Sequence, residues 1–321
     1  MNTFKPAFGL GNSHTQTIYS SLFRREKNIS FSIKNFSLSD GDFLECYWHK
    51  TNTRQDNTPL VILFHGLAGS YKSPYIEGVV EELHKNGFDS VVMHFRGCTG
   101  VDNSLPRSYH SGDSGDALEF LRSLKEEFPD SKLYGVGYSL GANMLLKLLG
   151  EVQGDSLIDK AVAVSPPMRL DVCSNRMNRG FSRYYQHRLV KDLNRALDKK
   201  YDKHDMNSLL NLKRQDIKKL KTFWEFDGAY TAPIHGFESA QDYYTKSSSK
   251  QYLIDIQTPT LIIHSEDDPF MSKEVIPQES ELSSAVELEL TQKGGHVGFI
   301  GGTLFKPEYW LEKRICRYLL D

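Results

Sequence analysis

No apolar run in the 321 residues approaches the ~20 positions that a membrane-spanning helix requires, so no transmembrane segment is expected. The four cysteines, Cys46, Cys98, Cys173 and Cys316, lie too far apart for a CxxC or Cys/His ligand pattern. Neither a zinc site nor a disulfide framework is therefore expected, and reduced thiols fit a cytoplasmic protein. The N-terminal MNTFKPAFGLGNSHTQTIYSS has neither the basic start nor the apolar stretch of a signal peptide, which points the same way. Charge of one sign is missing too. With 39 Lys and Arg against 41 Asp and Glu, nothing drives the whole chain toward nucleic acid. No internal repeat is visible, which excludes a solenoid.

What is present suits a folded core, because 39% apolar and 25% charged residues argue against disorder. From residue 29, alternation in ISFSIKNFSLS and DFLECYWH around Asp40-Gly41 predicts an antiparallel hairpin. A polar linker, Thr51 to Thr58, leads to LVILF at 60–64, apolar at every position as buried parallel strands are. Similar short runs end at Phe95, Gly137, Ser165 and Ser265, with helical text at 73–86, 113–127 and 139–150. This alternation predicts an α/β fold with right-handed crossovers and a mostly parallel central sheet. Between Pro167 and Tyr252 the strand runs stop. Residues 168–251 are thus expected to be a helical cap inserted into a core of 1–167 and 252–321, with 1–28 as an N-terminal arm. Residues 169–221 carry 15 Lys/Arg against 6 Asp/Glu. That basic excess makes the cap either a solvated face or a surface drawn transiently to anionic head groups or acidic substrates.

Gly137-Tyr138-Ser139-Leu140-Gly141 is a G-x-S-x-G between the strand text KLYGV and the helical LGANMLLKLL. Acyl transfer needs a serine on a sharp strand-to-helix turn, where Oγ projects from the sheet edge and glycines let helix and strand pass closely. Serine alone is a poor nucleophile, so a base and an orienting acid must follow, in the order Ser, Asp/Glu, His. TLIIHSEDDPF offers Glu266, Asp267 and Asp268 at a strand end, and VELELTQKGGHVGF offers His296 in a loop before the last helix. Successive residues leaving a strand point in different directions, so one of the three meets the histidine. Asp268 is chosen because the acid in many proteins of this fold directly precedes a short apolar stretch, here Pro269-Phe270-Met271. An oxyanion loop is expected at Phe64-His65-Gly66-Leu67-Ala68-Gly69, with the backbone N–H groups of Leu67 and Leu140 as donors. That loop matches neither phosphate-binding glycine pattern, so no nucleotide site is expected. His65, Gly66, Tyr138 and Trp224 are expected to contact substrate, and Tyr184, Tyr185, Leu189 and Phe223 to shield an acyl chain. No metal and no cofactor are called for.

The marks NSHTQTI, HGLAGS, HFRGC, YHSGDSGD, GYSLGAN, FDGAYTAPIHGF, DDPF and GGHVGF run through nearly the whole chain. In them the sequence resembles the YheT-like branch of the α/β hydrolases, relatives of the eukaryotic α/β-hydrolase-domain lipases and of yeast medium-chain ester synthases. The resemblance implies the α/β-hydrolase fold, a nucleophile at Ser139, an acid within DDPF and a histidine at His296. It also implies esterase or lipase activity, or acyl transfer to an alcohol, on medium-chain esters or glycerides. Ala68 stands where relatives often carry an acidic residue, which leaves the loop's backbone role intact. Arg96 is expected in a structural ion pair, and His110 and Asp113 at a helix start with Ser111 or Asp113 as N-cap. Asp227 and His235 are expected at the acyl pocket or at a hinge, and His14 anchors the N-terminal arm. A non-catalytic binding module is the reading from another class. The intact serine, acid, histidine and oxyanion-loop positions argue against it.

Overall fold

The computed structural model describes residues 4–24, 27–51, 55–303 and 305–321, so the 51–58 linker and the 1–28 arm fall partly outside the described residues. The strands are β1 (Ser32–Ser37), β2 (Phe43–His49), β3 (Leu60–Phe64), β4 (Asp89–Met93), β5 (Leu133–Tyr138), β6 (Lys160–Val164), β7 (Thr260–Ser265) and β8 (Val286–Thr291). They form one sheet in the order β1-β2-β4-β3-β5-β6-β7-β8. The hairpin β1–β2 turns at Gly41, whose φ of +87° suits glycine. It joins β4 antiparallel, and the other pairings are all parallel. Every residue of β3, β4, β5 and β7 is buried, which is why their text is apolar without alternation. β1 at the edge is mostly exposed and polar.

Side-chain alternation divides the sheet's two faces. Leu60, Ile62 and Phe64 pack under α3 (Ser114–Glu127) and α4 (Leu140–Val152), while Val61 and Leu63 pack under α2 (Pro74–Lys85) and the C-terminal helix Trp310–Leu320. Arg96 clamps the hairpin to α3 through ion pairs with Asp40, Asp42 and Asp116 at 2.6–2.9 Å. With three carboxylates around it, this guanidinium is structural.

After β6 the chain leaves the sheet and returns at β7. The intervening segment holds α5 (Leu170–Met177), α6 (Ser182–Lys200) and the helix Ala240–Ser247, with its own apolar cluster of Leu197, Met206, Leu210, Ile217, Phe226 and Tyr230. A π-helical turn, Asp227–Thr231, interrupts it. The N-terminal arm contains a helix the sequence did not announce, α1 (Ser13–Phe23), capped by the Asn12 side chain on the N–H groups of His14 and Thr15. No described helix is long and apolar enough to cross a membrane. Among the described residues no three His, Cys, Asp or Glu side chains cluster as metal ligands would.

Candidate active site

Between β5 and α4 stands Ser139, with φ +50° and ψ −116°. An L-residue stays in that region only where its surroundings over-determine it. Here the Ser139 N–H donates to the Val164 carbonyl at 2.8 Å, and the flanking glycines allow α4 to approach. A Cβ on Gly137 would lie 2.6 Å from Ala142 Cα, and one on Gly141 2.5 Å from the Phe64 carbonyl oxygen. The buried Asn143 extends this contact outward, its amide donating to the Ser111 and Ser247 carbonyls and accepting from the Ser249 N–H.

Ser139 Oγ lies 2.9 Å from His296 Nε2, and His296 Nδ1 lies 2.7 Å from Asp268 Oδ2. With Asp268 ionised, Nδ1 carries the proton and Nε2 accepts from the serine hydroxyl. Asp268 Oδ1 accepts from the Phe270 N–H at 2.8 Å, and the Phe270 ring stacks on the imidazole at 4.1 Å and 12°. Asp267 turns the other way and accepts from the Gly295 N–H, while Glu266 is exposed.

The loop that carries His296 is strained, with φ of +56° at Val297 and +49° at Phe299. It is tied at successive positions. Ser265 Oγ donates to the Gly295 carbonyl, the His296 N–H donates to Thr17 Oγ1 at 2.9 Å, and the Val297 N–H donates to Ser165 Oγ. Gln16, fully buried on α1, donates to the Leu10 and Ile300 carbonyls and accepts from the Ile300 N–H. Gly295 and Gly298 abut α1, where a Cβ would come 2.5 Å from the Ser13 and Gln16 carbonyl oxygens. Gln16, Thr17 and Asn143 were not singled out in the sequence. The only signal for them was their place inside NSHTQTI and GYSLGAN.

In the loop after β3, the Gly66 N–H donates to Tyr75 Oη, the Ala68 N–H to Tyr109 Oη and the Gly69 N–H to the Gly66 carbonyl. The Leu67 N–H has no partner among the described residues, nor has the Leu140 N–H at the start of α4. Both residues line the same cavity as Ser139 and His296, a space of about 680 Å³. Two unpaired donors beside a serine hydroxyl can hold a developing oxyanion.

Of the expected substrate contacts, Gly66, Leu189 and Phe223 line this cavity, and His65, Tyr138, Trp224, Tyr184 and Tyr185 do not. His65 is fully buried beneath the loop, bonded to the Gly66 carbonyl and accepting from the Phe95 N–H. Burial, with His94 beside it, pushes its pKa down to about 3, so it is a neutral wedge. Tyr138 follows the strand alternation to the opposite face, against Tyr75 in the α2-side core. Trp224 donates to Asn175 and packs edge-on against Tyr244. Tyr184 is half exposed, and Tyr185 packs against His14 and Phe270. His14 thereby anchors α1 to α6. His235 is tied to the Thr231 and Ser108 carbonyls, whereas Asp227 lines the cavity and accepts from Thr231 and Tyr244. Asp113 stands at the N-cap position of α3 without a capping bond, because its carboxylate pairs with Arg107 at 3.2 Å.

A family model described as alpha/beta hydrolase fold matches residues 59–303. The chain is 45% identical over 98% of its length to an Escherichia coli (strain K12) protein named "Putative esterase YheT", 92% of which is covered. The chain belongs to the YheT-like branch of the α/β hydrolases. A Saccharomyces cerevisiae protein named "Medium-chain fatty acid ethyl ester synthase/esterase 2" is 31% identical over 77% of the chain, which spans 59% of that protein. Among solved structures, the Pyrococcus furiosus esterase Pf2001 shares the hydrolase fold at TM-score 0.60 and 20% identity, with 91% of each chain covered.

Proposed function

We propose that the protein is a serine carboxylic-ester hydrolase that works through an acyl-enzyme on medium-chain acyl esters or glycerides. The observation that carries the proposal is the hydrogen-bonded series Ser139 Oγ, His296 Nε2, Asp268 at 2.9 and 2.7 Å, facing two unpaired amides in one cavity. His296 takes the Ser139 proton as Oγ attacks the ester carbonyl, and the Leu67 and Leu140 N–H groups stabilise the oxyanion, each worth roughly two to three powers of ten in rate. Collapse expels the alcohol, which receives the proton from His296. Water then attacks the acyl-enzyme with His296 as base, releasing the acid and restoring Ser139. Asp268 stays ionised throughout and stabilises the imidazolium.

Acyl chains suit the cavity because much of its wall is apolar, with Leu170, Met177, Leu189, Leu193 and Phe223 among the lining residues. The names of the Escherichia coli and yeast relatives agree with ester chemistry. The yeast name also includes ester synthesis, in which an alcohol reaches the acyl-enzyme before water does. The test is turnover of p-nitrophenyl esters from two to twelve carbons, with and without ethanol or glycerol. Hydrolysis peaking at medium length is expected. A new ester formed with the added alcohol adds the transferase reading, and no turnover at any length by folded protein overturns the proposal.

A further inference from the structure

The cavity has a cationic end. Among its lining residues on α6, Leu189, Leu193, Ala196 and Lys200 share one face at a spacing of four, three and four, with Asp192, Arg195 and Lys199 beside them. That stripe begins apolar and finishes in an ammonium group. Lys200 is half-buried and Nζ donates to the Arg107 carbonyl at 3.1 Å, with no carboxylate partner among the described residues. The acidic residues nearby are already engaged. Asp102 pairs with Lys203 at 2.6 Å, Asp192 with Arg195 at 3.0 Å, and Asp42 with Arg96. Lys199 lines the same end and makes no ion pair among the described residues. Asp42 and Asp102 attract the Lys200 ammonium from a distance, but both are bonded to other cations, so a half-buried ammonium with no bonded carboxylate gains from an anionic ligand.

This end shares one cavity with the reacting centre and is joined to the oxyanion loop along one stretch of chain. Tyr109, whose Oη receives the Ala68 N–H of the oxyanion loop, is two residues from Arg107, whose carbonyl receives Lys200. Ser108, Tyr109 and His110 line the wall between.

We propose that the natural ester carries an anionic group, a carboxylate or a phosphate, that binds Lys200 and Lys199 while its carbonyl sits at Ser139. The proposal rests on the ester-hydrolase reading and narrows its substrate class. An anion there gains charge-assisted hydrogen bonds from donors that now have only a neutral carbonyl or solvent.

The test compares p-nitrophenyl esters of ω-carboxyl and ω-phosphate acyl chains, across chain lengths, with their uncharged ω-carboxamide counterparts at low salt. KM for the anionic member is expected to be about tenfold lower at one favoured length, the scale of a single charged hydrogen bond. Lys200→Met should remove that preference, and Lys200→Arg should keep it. Preference for the carboxylate alone or the phosphate alone identifies the group and supports the proposal either way. Equal KM within each pair at every length overturns it, as does a preference that survives in the Lys199→Met, Lys200→Met double variant. Turnover of neither ester contradicts the hydrolase reading instead. The anion site is then measured by calorimetric binding of the same paired compounds, and equal affinities overturn it.

Discussion

Ser139, Val297 and Phe299 hold positive φ angles without being glycine, a cost on the order of 1–3 kcal/mol each. The reactive geometry therefore depends on groups that do no chemistry themselves. Thr17 is one, because its hydroxyl accepts the His296 N–H from a helix near the other end of the chain. Thr17→Val is expected to lower kcat about tenfold with little change in KM, the loss of one hydrogen bond that fixes the base. Thr17→Ser should restore most of the rate. Steady-state kinetics on one soluble ester checks both. Asp268→Asn should cost about four powers of ten in kcat by leaving His296 in the wrong tautomer. Asp267→Asn, which weakens only a backbone tie, should cost far less at matched thermal stability. A larger loss at Asp267 would reverse these roles. The sequence reading chose Asp268 among three neighbours, and the directions they take on leaving β7 put Asp268 on His296 and Asp267 on the Gly295 N–H. His65 and Tyr138 were misplaced as substrate contacts because proximity to the motif outweighed strand alternation, which turns Tyr138 to the far face.

At the scale of elements, buried parallel strands announce themselves by unbroken apolar text, so β3 to β7 were legible to within a few residues. α1 was not. Its SHTQTIYSSLF is largely polar because Gln16 and Thr17 on its inner face make hydrogen bonds to the histidine loop and, among its described residues, Tyr19 alone joins a small apolar cluster, and only the tertiary partners reveal that. The break in strand text between β6 and β7 was legible, but not which of its aromatics face the cavity. Trp224→Ala should leave the acyl-length profile unchanged, whereas Leu193→Trp, filling the cavity wall, should shift the optimum to shorter esters. Comparing p-nitrophenyl ester profiles decides it. Asp227, on the π-helical turn, supplies a pH signature, since burial raises its pKa to about 6. The unfolded chain loses this proton first, so the contribution is full below about pH 4 and falls away as pH rises through 6, by on the order of 2–3 kcal/mol. Asp227→Asn should remove that fall. Denaturant melts of both proteins at pH 4, 5, 6 and 7 would show a stability difference constant with pH if the carboxyl is not buried as described.

Across the whole molecule, residues from six parts of the chain meet at the C-terminal edge of one sheet: Thr17, Leu67, Ser139, Ser165, Asp268 and His296. The sheet's parallel order makes this possible, because β3, β5, β6 and β7 all deliver their following loops to the same edge. Under the proposed chemistry each loop then adds one function: donor, nucleophile, brace or acid. A covalent acyl-enzyme at Ser139 is the claim on which the proposed chemistry rests. The most direct measurement is reaction of the folded protein with a fluorophosphonate, followed by mass spectrometry of its peptides. One adduct is predicted, on Ser139, abolished by Ser139→Ala and slowed by several powers of ten in His296→Ala. Folded protein that stays unlabelled, or that carries the adduct on another residue, would contradict the account.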